Sequence, residues 1–345
     1  MMWVVHSVKQ DGTLAPVAVN YLGEIPERYL YLNNHARRHP LGIYNVSLEQ
    51  LEKDFGKLLG IYFEELKFLR DNIGIDGTLL RDNFNAGYSY LLEAQKNLIH
   101  SLRAYIDDCY AVLASLVDPA SLPSKAASVT FTDKWLRAVK FPSLGAFNDA
   151  ISFYKNEHLA PLVNGLKHRQ SRLRGLFFYK YSDVRLGYYL EDPDVDGIPG
   201  PSPNVHKDRN SAFSFKRDIV FNLYGVYSIS EALVEAVKGA LLHYHSYNLT
   251  PQKTDFRHDT WLEILRQASD LVESSFPDEI ERPFACLTLT DKDEDSALCL
   301  RYPVLMYPPR FPQGMHIMGT IHLDGVGKTY KVPYLQRSKY GGVKV

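Results

Sequence analysis

The chain has 345 residues, 45% apolar and 23% charged, which are ordinary globular proportions, so disorder is not its default state. Its 39 lysines and arginines against 40 aspartates and glutamates give a formal net charge of −1, so attraction to nucleic acid or a membrane surface would have to come from a local patch. Cys109, Cys286 and Cys299 lack the paired spacing of a zinc site or disulfide framework, and no stretch approaches the roughly 18 uninterrupted apolar residues of a membrane span.

The amino-terminal MMWVVHSVKQDG has no basic start leading into an apolar run, and the expectation is a cytoplasmic chain with reduced, structural cysteines. The same stretch alternates apolar and polar residues up to Asp11-Gly12, a dipeptide that supplies the positive φ of a tight turn, and so predicts a β-hairpin. A proline- and asparagine-bearing connector leads to Ser47, which with Gln50 has the spacing of a capping box. Behind it Leu48, Leu51, Phe55, Leu58, Tyr62, Leu66 and Leu69 predict a helix over about 48–71 with one apolar stripe.

The strongest periodicity follows. Phe84, Tyr88, Leu91, Gln95, Leu98, Leu102, Tyr105, Cys109, Val112 and Leu116 alternate offsets of four and three, which predicts one helix over 78–117, antiparallel to its predecessor. Gln95 lies inside that apolar seam and must find a hydrogen-bond partner there. After a Pro-, Ser- and Ala-rich linker over 118–128, Leu144, Phe147, Ile151 and Tyr154 begin a third helix that ends near Arg169 and should kink at Pro161. The runs LRGLFFYKY and VRLGYYLE, separated at Ser182-Asp183, predict a second hairpin, and a long Pro-, Gly- and Asp-rich loop follows.

Ile219, Leu223, Val226, Leu233, Val237, Ala240 and Tyr244 mark a fourth helix, and Thr260 with Glu263 caps a fifth that carries Trp261 and Leu265. From about 283 the chain turns to alternating β-like runs. The fold class is therefore α+β: an antiparallel helical bundle as main body, with a β-hairpin insertion and terminal β-strands. The organisation expected is an N-terminal hairpin and connector over 1–46, the bundle over 47–276 with its insertion at about 172–216, and a C-terminal β region over 277–345 packed on the bundle.

Chemistry concentrates where the third helix meets the second hairpin. Lys167, Arg169, Arg172, Arg174, Lys180 and Arg185 stand against the single acid Asp183 and interleave with Phe177, Phe178, Tyr179 and Tyr181. Cations neutralise phosphates and aromatic faces stack on unpaired bases, so this composition suits single-stranded nucleic acid. The bland reading of the same pattern is a hairpin with a solvated basic face and core aromatics. Asn164 and His168 share a helical face beside Lys167; His can exchange protons near neutral pH and Lys can hold a phosphate. These three are the candidate catalytic residues, with Arg169, Arg172, Arg174, Lys180 and Arg185 as the candidate nucleic-acid contacts. The structural alternative for His168 is a cation capping the last carbonyls of its helix.

A long antiparallel helix pair, followed by a helix ending NGLKHR that runs into a short β-hairpin, resembles the HEPN superfamily of helical domains over about residues 47–245. The resemblance implies RNA as partner, a homodimer through the long helices, and a defence or stress-response setting. In ribonuclease members an Arg several residues before the His, with a polar neighbour, acts with it across the dimer without a metal. Here His168 and Asn164 match, but no Arg precedes His168 within its helix, which favours RNA binding without cleavage; Arg28 and His35 share the spacing but fall in the connector. The alternative is a non-enzymatic interaction or scaffold protein with no nucleic-acid role.

Asp192, Asp194, Asp196 and Gly197 begin like a calcium loop, yet Pro203 stands where the bidentate Glu belongs, and an acidic loop tip is the simpler reading. DKDED at 291–295 reads as a solvated hairpin tip. His243 and His245 point to different sides of their helix, and His316 and His322 have no Cys or carboxylate pattern around them, so no metal site is expected. Without a phosphate loop, dinucleotide fingerprint or nucleophile elbow, no cofactor is expected either.

Overall fold

The computed structural model describes residues 3–8, 14–32, 38–74, 84–118, 120, 129–167, 171–180, 183–193, 197–206, 210–251, 259–271, 276–279, 283–290, 297–304, 315–319 and 331–334. It has the α+β architecture expected from the sequence, with the long helices as its main body.

The chain opens with β1 (Trp3–Val8), which pairs antiparallel with β7 (Ala297–Val304); the Asp11-Gly12 turn expected after it lies outside the described residues, and further on the chain forms α1 (Val19–Leu22). The alternation near Leu14 is satisfied another way. Leu14, Ala18, Val19 and Leu22 are buried against the helices, and the Ser230 hydroxyl accepts the Ala18 amide at 2.9 Å.

Helix α2 runs from Pro40 to Asn72, earlier than the capping box suggests. His39 is the true cap, its Nδ1 accepting the Leu41 amide at 3.2 Å, and Pro40 occupies the first turn where its missing N–H costs nothing. Ser47 lies inside the helix and donates instead to Asp108 of α3 (Phe84–Ala114). Ser101 likewise donates to Asp54 at 2.6 Å, so each long helix gives the other a polar tie that fits their antiparallel pairing. Residues 78–83 of the helix expected over 78–117 lie outside the described residues; from Phe84 to Ala114 it is unbroken.

One acid is buried in this packing. Glu65 of α2 is 5% exposed and lies against Gly87 of α3, where a Cβ would come within 2.0 Å of its Oε2. Burial, with no cation beside it among the described residues, raises its pKa from 4.5 to about 7. A carboxyl raised by folding contributes stability that is complete below its unfolded value and is lost as pH rises through the folded one. Glu65→Gln is therefore expected to match the wild type in thermal denaturation near pH 4 and to melt several degrees higher near pH 8. Equal melting at both would show that the carboxyl carries no such penalty.

After α4 (Thr132–Ala138) and α5 (Leu144–Ser152) the third helix widens into a π-turn over Phe153–Leu159, just upstream of Pro161, and resumes as α6 (Ala160–Lys167). Pro161 has no N–H for the carbonyl four residues back and its ring crowds that carbonyl. The wider turn absorbs the misfit upstream, with the Ala160 N–H reaching Lys155 O.

The second hairpin forms as predicted from β2 (Arg172–Lys180) and β3 (Asp183–Pro193), with Phe177 opposite Leu186. With β4 (Pro199–Pro201), β5 (Phe213–Ser214) and β8 (His316–Gly319) they make a five-stranded sheet. Both faces of the hairpin are covered. Phe177, Tyr179, Leu186 and Tyr188 join the main core, while Leu176, Phe178 and Tyr189 pack with Phe276, Met315 and Tyr334 on the other side.

Helix α7 (Phe215–His245), capped by the Ser214 hydroxyl, is the buried spine of the molecule, and α8 (Asp259–Ser269) seats Trp261 in the core. A three-stranded sheet in the order β1-β7-β6, with β6 over Phe284–Thr290, joins the two ends of the chain. Among the described residues no helix is long and apolar enough to cross a membrane.

Candidate functional site

The structure scatters the basic aromatic segment. Phe177, Phe178 and Tyr179 are core residues, and Tyr181 lies outside the described residues, so the three aromatics described offer no face to a base. Arg174 is 5% exposed and grips the buried Glu191 with two hydrogen bonds, at 2.7 and 3.0 Å. Arg185, also 5% exposed, pairs with Asp183 at 2.9 Å. These two were read as nucleic-acid contacts, but they are sheet residues on the face that Phe276, Met315 and Tyr334 cover.

Lys180 is half-buried; Arg172, Asn164 and Lys167 are exposed. Lys167 lies close enough to His100 of α3 for its charge, after burial and with Lys96, to help lower the His100 pKa. His168 and Arg169 lie outside the described residues, as do Asp194 and Asp196 of the acidic loop; Asp192 accepts the Ser171 hydroxyl at 3.2 Å. Among the described residues no group of three or more His, Cys, Asp or Glu side chains could hold a metal ion.

A different constellation comes together around Gln95. As a polar residue inside an apolar seam it needs partners, and its Nε2 donates to Asp218 Oδ2 of α7 at 2.7 Å and to the Tyr188 hydroxyl at 3.1 Å. Asn222, one turn along α7, donates to the same Oδ2 at 2.9 Å and receives the Tyr154 hydroxyl at 3.0 Å. Asp218 is 3% exposed and has its carboxylate oriented by two side-chain amides.

The other oxygen, Asp218 Oδ1, faces His158 Nε2 of the π-turn at 3.3 Å, an ion-pair distance at which neither atom completes an aligned hydrogen bond. The imidazole stands edge-on to Phe221, with ring centroids 4.8 Å apart, and Phe213 flanks it at 6.0 Å. Close approach of the π-turn to α7 requires Gly225, because a Cβ there would lie 2.4 Å from the Tyr154 ring.

His158 and Asp218 line a cavity of about 280 Å³ with Glu157, Arg217, Glu279 and Tyr302. Arg217 is fixed there, donating to Glu279 O at 2.9 Å and to Pro283 O. The Glu279 carboxylate accepts the Ser214 and Phe276 amides at 2.9 and 2.8 Å; burial nevertheless raises its pKa, with Arg217 pulling the other way. Phe153 and Tyr302 also wall a wider arm of about 760 Å³ between α5 and α7. Together the arms come to just above the roughly 300–1,000 Å³ range of small-molecule sites.

Sequence reasoning passed over His158, although a signal was present. It continues the buried stripe Leu144, Phe147, Ile151, Tyr154 by one more offset of four, so a histidine was due to face the core. Asp218 and Asn222 are a comparable polar pair on the buried side of α7. No family model matches this chain, and neither a curated protein nor a solved structure matches it.

Proposed function

We propose that this protein binds a small organic molecule in the cleft between the π-turn, α5 and α7, and that His158, backed by Asp218, exchanges a proton with it. The observation that carries the reading is the His158–Asp218 pair: a carboxylate held by two amides, set 3.3 Å from an imidazole on the wall of a cavity. With Nε2 turned to the carboxylate, Nδ1 is the ring atom left for proton exchange. Catalytic hydrogen bonds are commonly long and misaligned before substrate arrives, as this one is. A π-turn supplying the histidine fits the same reading, since such turns recur at functional sites. The test is a thermal-shift screen of small organic molecules on the wild type and His158→Ala. Compounds that raise the wild-type melting temperature are expected to lose most of that shift in the variant; equal shifts in both would contradict the reading.

A second reading, RNA binding at the junction of α6 and β2 in the manner of HEPN domains, is supported by the exposed side chains of Lys167, Arg172 and Asn164, with His100 within reach of the charges of Lys96 and Lys167. Dimerisation through the long helices would use their outer faces, where Val46 and Tyr90 are 49% and 69% exposed.

A further inference from the structure

The charges along the cleft are strongly one-sided. Among the described residues every charged side chain on the wide arm is an acid: Asp149 from α5, and Glu231 and Glu235 from α7. In the narrow arm Arg217 is committed to backbone carbonyls, while Asp218, almost fully buried, keeps one carboxylate oxygen without a hydrogen-bond donor. Apart from Ser143 and Ser228, the rest of the wide arm's lining is apolar and aromatic, with Tyr224 and Tyr302 packed 5.4 Å apart between their ring centroids.

We infer that the ligand is an organic amine, its protonated nitrogen held by Glu231 in the wide arm and its apolar body lying on the Tyr224–Tyr302 wall toward His158. The inference rests on the cleft reading above and names the ligand class. Three features select a cation over an anion or a neutral polar molecule. Glu231 and Glu235 are one turn apart on the same helix, a like-charge pair that a bound cation relieves. The aromatic faces add attraction for an ammonium group. An anion would meet the carboxylates of both arms, offset among the described residues by the committed Arg217, by His158 and by Lys238, which is already paired to Glu235.

The same arrangement makes binding pH-dependent. Burial, and then the charge of Glu235, raise the Glu231 pKa to about 7. The other charged or titratable groups around it are Asp149 across the cleft, Tyr224, Tyr302, and Lys238, which is paired to Glu235 at 2.8 Å. A carboxyl with that value is roughly a tenth ionised at pH 6 and nine-tenths at pH 8, so amine affinity should rise about tenfold between them.

The experiment uses phenethylamine, 2-phenylethanol and 3-phenylpropionate as matched probes, titrated calorimetrically into the full chain at pH 6 and pH 8. Expected are binding of the amine about tenfold tighter than the alcohol at pH 8, no detectable binding of the carboxylate, and about tenfold weaker amine binding at pH 6. Glu231→Gln, at a partly exposed position, should weaken the amine about tenfold and abolish its pH dependence. Tighter binding of the carboxylate or alcohol, no binding of any probe, or amine binding indifferent to Glu231→Gln would overturn the inference. If the alcohol or carboxylate binds best and His158→Ala removes that binding, the amine class fails while the cleft reading stands. If no binding responds to either substitution, both fail.

Discussion

Arg174→Ala is expected to destabilise the fold by about 3–5 kcal/mol, because it leaves the Glu191 carboxylate buried without its bidentate partner. Arg172→Ala, one pleat away on an exposed side chain, should change stability by no more than about 0.5 kcal/mol. Urea denaturation of the two variants reads the contrast directly. It also separates the two roles that composition assigns alike. If the hairpin bound RNA through all of its cations, both substitutions would weaken a salt-sensitive association with single-stranded RNA by similar factors. On the geometry, any such association depends on Arg172 and Lys167, and well-folded Arg174→Lys should leave it unchanged.

Asp218→Ala should be the next most damaging change, costing on the order of 2–4 kcal/mol. It strips the Gln95 and Asn222 amides of a shared acceptor in the core, each such loss costing about 1–3 kcal/mol. Gln95 keeps Tyr188 as a partner, which holds the total below the sum for two orphaned groups. His158→Ala, at the cavity wall with its side chain 13% exposed, should cost about 1 kcal/mol or less beyond its lost packing. An Asp218→Ala protein as stable as the wild type would mean that the amides find other acceptors and that the carboxylate is not held as described.

The difference between the legible and illegible parts of this molecule follows the range of the interactions. Helix periodicity is local, so the seam from Phe84 to Val112 and the stripe of α2 could be read directly, and a polar residue within that seam announced that it needed a partner. The partner itself, Asp218, lies 123 positions further along the chain, and no local rule identifies it. The β1–β7 ladder illustrates the same limit: Asp11-Gly12 suggested a local hairpin, while the strand is satisfied from the far end of the chain. The basic run misled because alternation along β2 shows which residues share a face but not whether that face is covered. Arg172, Arg174, Leu176, Phe178 and Lys180 do share one, and residues from 276, 315 and 334 close over its centre. The pair at the cavity wall was hidden for a related reason. Pro161 announces a disturbance in its helix, and it takes the three-dimensional packing to show that the disturbance widens the turn carrying His158.

The central claim, that His158 and Asp218 form a ligand site, is tested most directly by a crystal structure of the protein with a compound that raises its melting temperature in a His158-dependent way. The account predicts density for that compound in the cleft walled by Phe153 and Tyr302, with a polar atom within hydrogen-bond distance of the His158 ring and the Asp218 carboxylate still held by Gln95 and Asn222. Density at another place on the molecule, with the cleft unchanged, would contradict it.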